Sequence, residues 1–381
     1  MKKSIIKLLS FFIIRKEKRK MFRSKMMHAH IKDFMYLWKF KRANISDSQV
    51  LLIETNDAHG EVISGYLDYF RKAGFHIDIL VNPQLYSENP FCRNNMSDVN
   101  VYLSDWGLLD EFFSCENIKK YKAVFLMTSA GYFAWKNDNY CGVLNLYPQL
   151  RNLQNLYIVE HDLEDVSRFA EESFFSTDRL ITLGHFDKGV FACPILFGKI
   201  KITPKNDVTT FITVGGIEQS RKNHQKLIEA VKSLAHENLK FKVIIVGKGA
   251  LDDLPEDIRD YTNITGRLSF SDMFDMMEKA DFFLPLLDEN NPAHERYIKT
   301  KVTGSAQLIY AFAKIPVIHE KFAGFYGYNK ENAIVYSDLA EAMKQAIAMK
   351  SVTYTEFQNK LQNLSAALIK ETEDNLRRIM Q

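Results

Sequence analysis

The stretch FITVGGIEQSRKNHQKLIEAVKSL, residues 211–234, ends an apolar run on two glycines and sets Arg221 and Lys222 just ahead of a helical period. Gly215 and Gly216 remove the Cβ that would keep a ligand from the backbone. Two cations beside them supply the donors that a diphosphate needs. A second stretch, TKVTGSAQL (300–308), places Thr303, Gly304 and Ser305 where a helix should open. Free N–H groups and the positive end of the helix dipole gather at such a point, and they favour phosphate. A tight turn with a solvated basic pair, and an ordinary Ser or Thr cap, are the plainer readings of the same residues.

Proton chemistry has its own candidates. NDAHGE (56–61) follows an apolar strand and offers His59 and Glu61, either of which could take a proton from an acceptor hydroxyl if the reaction inverts. EHDL (160–163) offers His161, with Asp162 placed to orient it. The plainer readings are a turn histidine at 59 and a satisfied core histidine at 161. Cys92, Cys115, Cys141 and Cys193 lie far apart with no CxxC, which argues against a disulfide framework or a zinc site.

The elements that must position these groups form two series. From QVLLIE the first alternates strands and helices: Val50–Ile53, a helix over 62–73, FHIDILV, and KAVFLMTSAG (122–131), NLYIVEH (155–161) and DRLITLGH (178–185) as strands ending in loops. The second restarts at TTFITVGG. It runs through a helix over 224–236, KFKVIIVGKG, a short NITGRLS, a helix capped by Ser271 or Asp272, DFFLPLL, a helix over TGSAQLIYAFAK, IPVIHE, NAIVYSD and a helix from Leu339. Strands alternating with helices imply parallel sheets covered on both faces. FGKIKITPKND (197–207) reads as a linker. The last stretch spaces Phe357, Leu361, Leu364, Leu368 and Leu376 along one helical face. We expect an α/β chain with an N-terminal basic helical arm (1–45), two Rossmann-like doubly wound domains (46–200 and 201–352) facing a cleft, and a C-terminal helix (353–381). Ligands bind such sheets at the carboxyl ends of their strands.

Charge is unevenly distributed. Residues 1–42 hold fourteen Lys and Arg against Glu17 and Asp33, whereas the rest of the chain holds more acids than bases. The run Ile5–Ile14 is too short to span a membrane and lacks the cleavage site of a signal peptide. A short apolar helix followed by RKEKRK suits the interface of an anionic membrane, with packing on the body as the alternative. Nucleic acid is not an expected partner.

The second series resembles the donor domain of GT-B glycosyltransferases, in particular the large family 4 (group 1) that includes bacterial polysaccharide and lipopolysaccharide sugar transferases. VGGIEQSRKNHQKLIEA stands for that family's VGRL…RKG…LIEA, and KVIIVGKG for its next strand and glycine turn. ITGRLSFSDMFDMMEKADFFLPLL and AFAKIPVI match two further blocks, and the likeness covers roughly residues 48–350. The chain departs from the pattern at Gly216, where the family has arginine. It also has Lys301 and Ile309 at the places of two glutamates, which marks a divergent branch.

The resemblance implies a metal-independent transferase, since no Asp is followed by another two residues later. It would need no cofactor beyond a nucleotide-sugar donor, UDP- or GDP-linked. Donor diphosphate would lie on Gly215, Gly216, Arg221, Lys222, Thr303, Gly304 and Ser305. Gly247, Arg267, His294 and Glu295 would meet the donor sugar or nucleoside, and His161, His59 and Glu61 would serve catalysis. The acceptor would be a glycan or lipid-linked sugar, and the enzyme would sit in the cytoplasm against the inner face of the membrane. A nucleotide-sugar epimerase of the same fold and a non-catalytic partner are the alternatives.

Overall fold

The structure is a computed structural model. It describes residues 10–12, 15–16, 19, 31–104, 108–128, 134–136, 139–141, 150, 152–164, 178–217, 222–249 and 254–381. The apolar run and polybasic stretch of the arm fall almost wholly outside these, as does Arg221.

The first series yields β1 (Gln49–Glu54), β2 (His76–Val81), β3 (Val99–Leu103), β4 (Ala123–Leu126), a small hairpin of β5 (Ala134–Lys136) and β6 (Asn139–Cys141), β7 (Leu156–Glu160), β8 (Leu180–Thr182) and β9 (Val190–Phe191). The second yields β10 (Thr209–Val214), β11 (Phe241–Val246), β12 (Thr262–Gly266), β13 (Phe282–Phe283), β14 (Ile315–His319) and β15 (Ile334–Tyr336). Two parallel sheets result, in the orders β3-β2-β1-β4-β7-β8-β9 and β12-β11-β10-β13-β14-β15. Every residue of β1 is buried, as expected for an inner parallel strand with both faces covered. In each sheet the order reverses once, between β1 and β4 and between β10 and β13. Those are the crevices where ligands reach such sheets.

Packing joins the sheets. One apolar cluster contains Val50 and Leu52 of β1, the helix Gly60–Lys72, Ile212 of β10, Phe274, Phe312, and Leu361 of the last helix. Phe197, from the linker, meets Phe274 with tilted rings at 5.5 Å, and Phe274 meets Phe312 at 5.3 Å. The outer faces have separate cores, one of which includes Leu37 and Phe40 of the helix Ile31–Arg42. That part of the arm therefore packs on the body, while Phe34, Met35 and Trp38 remain exposed.

Local differences from the sequence reading have simple causes. The helix Phe270–Lys279 is capped by Ser269, whose hydroxyl accepts from Asp272 N at 3.1 Å, so neither Ser271 nor Asp272 is the cap. DFFLPLL contributes only two strand residues, since Pro285 cannot donate to a ladder. The final stretch is one helix, Ser351–Met380, and it touches both halves. Tyr354 donates to Asp281 O of the second, while Thr372 accepts from Cys193 N of the first. Near its end, Tyr157 donates to Ile379 O.

Candidate functional site

At the end of β10 the chain turns through Gly215 (φ 135°), a backbone conformation that side-chain-bearing residues rarely adopt. Gly247, after β11, packs on that turn so closely that a Cβ would stand 1.8 Å from Gly215 O. The role of Gly247 here is to let the two loops approach. Lys222 folds back under the turn. Its ammonium is 3.0 Å from Thr213 Oγ1 and 3.4 Å from Pro285 O, so it bridges the loops after β10 and β13 at the reversal of strand order. Only 6% of the residue is exposed. Among the described residues no carboxylate pairs with this cation, and burial lowers its pKa to about 7. A buried cation short of a counter-charge is a group that an incoming anion would stabilise.

Next to Lys222, His224 opens the helix His224–His236 with both ring nitrogens buried and without a hydrogen-bond partner. Burial, with Lys222 adding to it, lowers this imidazole to about 4, which leaves it neutral beside the cation. Asn223 caps the same helix by accepting from Lys226 N.

The helix Ser305–Phe312 has Gly304 at its N-cap. Thr303 and Ser305 share a hydrogen bond at 2.9 Å, and Thr303 N donates to the Tyr326 hydroxyl. This helix start faces the first half, for a Cβ on Gly304 would lie 3.9 Å from Glu61 Oε1.

Across from it, at the ends of β1 and β7, lie two histidines whose rings are 5.0 Å apart, His59 and His161. His59 Nδ1 is 3.5 Å from Glu61 Oε1. Burial lowers the pKa of His59, but Glu61, Glu54 and Glu160 outweigh it and the net shift is upward. Burial likewise opposes ionisation of Glu61, and the hydrogen bond and charge of His59 prevail, holding it below the usual carboxylate range.

His161 does not take Asp162 as its orienting partner. Its Nδ1 lies 3.4 Å from Glu160, the last residue of β7, without a hydrogen bond, and its backbone N–H donates to that carboxylate. Asp162 instead faces the second half and binds Arg296 (2.7 and 2.5 Å) and Lys301 (3.1 Å). Backbone bonds from Leu163 N to Thr300 O and from Val302 N to His161 O, both 2.8 Å, complete a short antiparallel bridge. The loop leading to Gly304 is thereby tied to the loop that carries His161.

The remaining candidates are more scattered. Arg267 reaches the first half, donating to Asp57 O at 3.0 Å and to Glu88 at 2.8 Å. His294 is buried, and its Nδ1 accepts from Asp288 N at 2.7 Å, so it braces its own loop and is not open to a donor sugar. Glu295 points outward and pairs with Lys299 and Lys321. Gly216 lies on the β10 turn with Gly215. Among the described residues, no group of three or more His, Cys, Asp or Glu could hold a metal ion.

Residues 208–349, which contain the Lys222 turn and the Gly304 helix start, match the family model described as "Glycosyl transferases group 1". The chain is thus similar to that family over residues 208–349. Its likeness to solved structures extends over both sheets. AviGT4, a glycosyltransferase involved in avilamycin A biosynthesis, aligns with a TM-score of 0.52 and 11% identity, over 87% of this chain and 98% of that one. The Anabaena protein Alr3699/HepE, solved in complex with UDP-glucose, gives 0.49 and 9% over 87% and 99%. TarM gives 0.43 and 11% over 80% of this chain, which spans about half (54%) of TarM. No curated protein sequence matches the chain. The fold is thus two Rossmann-like parallel sheets, shared with AviGT4.

Two site groups escaped the sequence reading, Glu54 and Glu160. Each ends an apolar strand, LLIE and YIVE, and that shared pattern was the available signal.

Proposed function

We propose that this chain is a glycosyltransferase that moves a sugar from a nucleotide-sugar donor, UDP- or GDP-linked, to a glycan or lipid-linked acceptor in cell-surface polysaccharide or lipopolysaccharide synthesis. The observation that carries the proposal is Lys222, a buried ammonium without a carboxylate partner among the described residues, set under the Gly215 turn at the strand-order reversal. Departure of a nucleoside diphosphate transfers negative charge to phosphate oxygens, and a preorganised cation stabilises that charge most effectively where water is excluded. Lys222, the Gly215–Gly216 turn and the N-terminus of Ser305–Phe312 fill this role without a metal. His59, backed by Glu61, takes the proton of the acceptor hydroxyl on the opposite wall, and His161 borders the sugar.

The helix Ile31–Arg42 supports a peripheral position at the inner membrane face. Its outer side shows Phe34, Met35 and Trp38, and the Arg42 guanidinium lies 4.4 Å over the Trp38 ring. Among the described residues no helix is long and apolar enough to cross a membrane.

The test is thermal stabilisation of the full chain by a panel of nucleoside diphosphates and their sugars. A ligand at 100 times its Kd adds about 2.7 kcal/mol, a clear melting shift. Stabilisation by one base, lost in Lys222→Ala, is the expected result. No shift with any member would remove the reading and favour a non-catalytic protein, while interconversion of a soluble nucleotide sugar without acceptor would favour the epimerase.

A further inference from the structure

A cavity of about 230 Å³ lies where the two halves and the last helix meet. The first half supplies Leu183, Phe191 and Cys193, around the ends of β8 and β9. The second supplies Val302, just before the helix Ser305–Phe312, and Ala306 and Tyr310, which share one face of it. Leu364 and Leu368 of Ser351–Met380 form a third wall. Protein interiors pack as densely as organic crystals, so a cavity of this size sacrifices contacts along its whole lining. A cavity of roughly 150 Å³ with an apolar lining already takes up benzene.

The lining is suited to hydrocarbon. The Tyr310 hydroxyl donates to Tyr326 O at 2.9 Å, and the Tyr326 hydroxyl donates to Tyr297 O at 3.0 Å. Both are thus satisfied within the wall, and the other lining side chains are apolar except Cys193 and His185. His185, Gly324 and Gly327 are exposed and mark the mouth. A Cβ on Gly324 would meet nothing within 4 Å, so the mouth is open there. Beside it Phe325 stacks on Phe186 of the first half at 5.8 Å, and His185 Nε2 is engaged by Glu371 at 3.0 Å. A chain can enter this opening and leave a polar head in water.

The cavity also backs onto the candidate diphosphate site. Val302 and Ala306 stand on either side of Thr303, Gly304 and Ser305 in the sequence. Thr303 N donates to the Tyr326 hydroxyl of the cavity wall. From the first half, Gly184 approaches so closely that a Cβ there would stand 2.4 Å from Val302 Cγ2.

We infer that this cavity binds a single hydrocarbon chain of a lipid, and that the bound chain steadies the start of Ser305–Phe312 and so raises affinity for a nucleoside diphosphate. The second part rests on the proposed function, whereas the first stands on the cavity alone. A chain that fits only one arrangement of Val302, Ala306 and Tyr326 shifts the protein toward that arrangement. Coupling of this kind is reciprocal, so the nucleotide must favour the chain by the same factor.

The test titrates the full chain with 1-octanol and with sodium octanoate, a neutral and an anionic head on chains of equal length. Calorimetry gives Kd, and Tm reports stabilisation. We expect saturable stabilisation by octanol, with octanoate no tighter because Glu371 already engages the ring at the mouth. Ala306→Leu, whose larger side chain fills the cavity, should stay folded and bind octanol about tenfold more weakly or worse. Octanoate binding tighter than octanol, and lost in the same variant, would keep the chain site and name a free fatty acid as its source. Absence of saturable binding in the wild type, or equal binding in Ala306→Leu, overturns the site. Should Ala306→Leu not fold, Leu364→Phe fills the cavity from the last helix and must weaken octanol likewise. With octanol saturating, UDP or GDP should bind about fivefold more tightly, and either should tighten octanol equally. Octanol binding that leaves nucleotide affinity unchanged overturns the coupling. Octanol binding in a protein that takes no nucleotide removes the transferase reading and leaves the chain site in place.

Discussion

Lys222 carries opposite consequences for the empty and the occupied protein. An unfolded lysine titrates near 10.4, whereas burial brings Lys222 down to about 7. Between those values the unfolded chain binds the extra proton, so the stability of the ligand-free protein rises with pH across that window. Below pH 7 the cost of burying the charge is present in full. Lys222→Met should flatten this rise and stabilise the empty protein at neutral pH by up to a few kcal/mol, seen as a higher Tm at pH 6.5. Binding of a nucleoside diphosphate runs the other way. It needs the ammonium, so wild-type affinity should fall by up to tenfold per unit above pH 7 by calorimetry, and Lys222→Met should bind about 10–100-fold more weakly at pH 6.5. A methionine variant with full affinity would exclude the lysine from the diphosphate site.

Two loop contacts decide how the strands present these groups. Gly247→Ala would force a methyl against Gly215 O and part the turns after β10 and β11. The expected cost is about 1–3 kcal/mol of stability together with loss of diphosphate binding, measured by denaturant melts and calorimetry. Asp162 ties the two halves. Burial opposes its charge, but Lys301 and Arg296 prevail and hold its carboxyl below the usual range. The stability it contributes is present above the unfolded value near 3.9 and is lost as pH falls through the folded one. Asp162→Asn should therefore lower Tm at pH 7, with a difference from wild type that shrinks in acid. The elements themselves were largely legible in the sequence, because inner parallel strands are unbroken apolar runs and the helices at 60–72 and 224–236 carry a clear 3.6-residue period. β3 and β9 were missed. VNVYL is half exposed and VF is two residues long, so neither leaves a periodic trace. At the site, glycines and cations were visible by type, but the partner of a buried group was not. Whether Asp162 or Glu160 met His161 depended on which way a strand end points. Likewise, nothing in LLIE distinguishes a buried glutamate from a solvated one.

The whole molecule is two sheets, a basic arm and a strap. The helix Ile31–Arg42 buries Leu37 and Phe40, so a test of the arm must spare it. A chain beginning at Ile31 should keep the Tm and diphosphate affinity of the full protein. It should lose most of the full chain's flotation with vesicles containing phosphatidylglycerol, and added salt should weaken the flotation of the intact chain. Equal flotation of both would place membrane contact elsewhere or nowhere. The strap, Ser351–Met380, has a consequence in time. It anchors Tyr354 on the second half before its later turns hold Cys193 and Tyr157 of the first. During synthesis the first half emerges from the ribosome long before the helix that covers its β9 edge. The nascent protein must carry that apolar border uncovered while the second half is made, and the strap's arrival closes it and adds a further link between halves that already share a core.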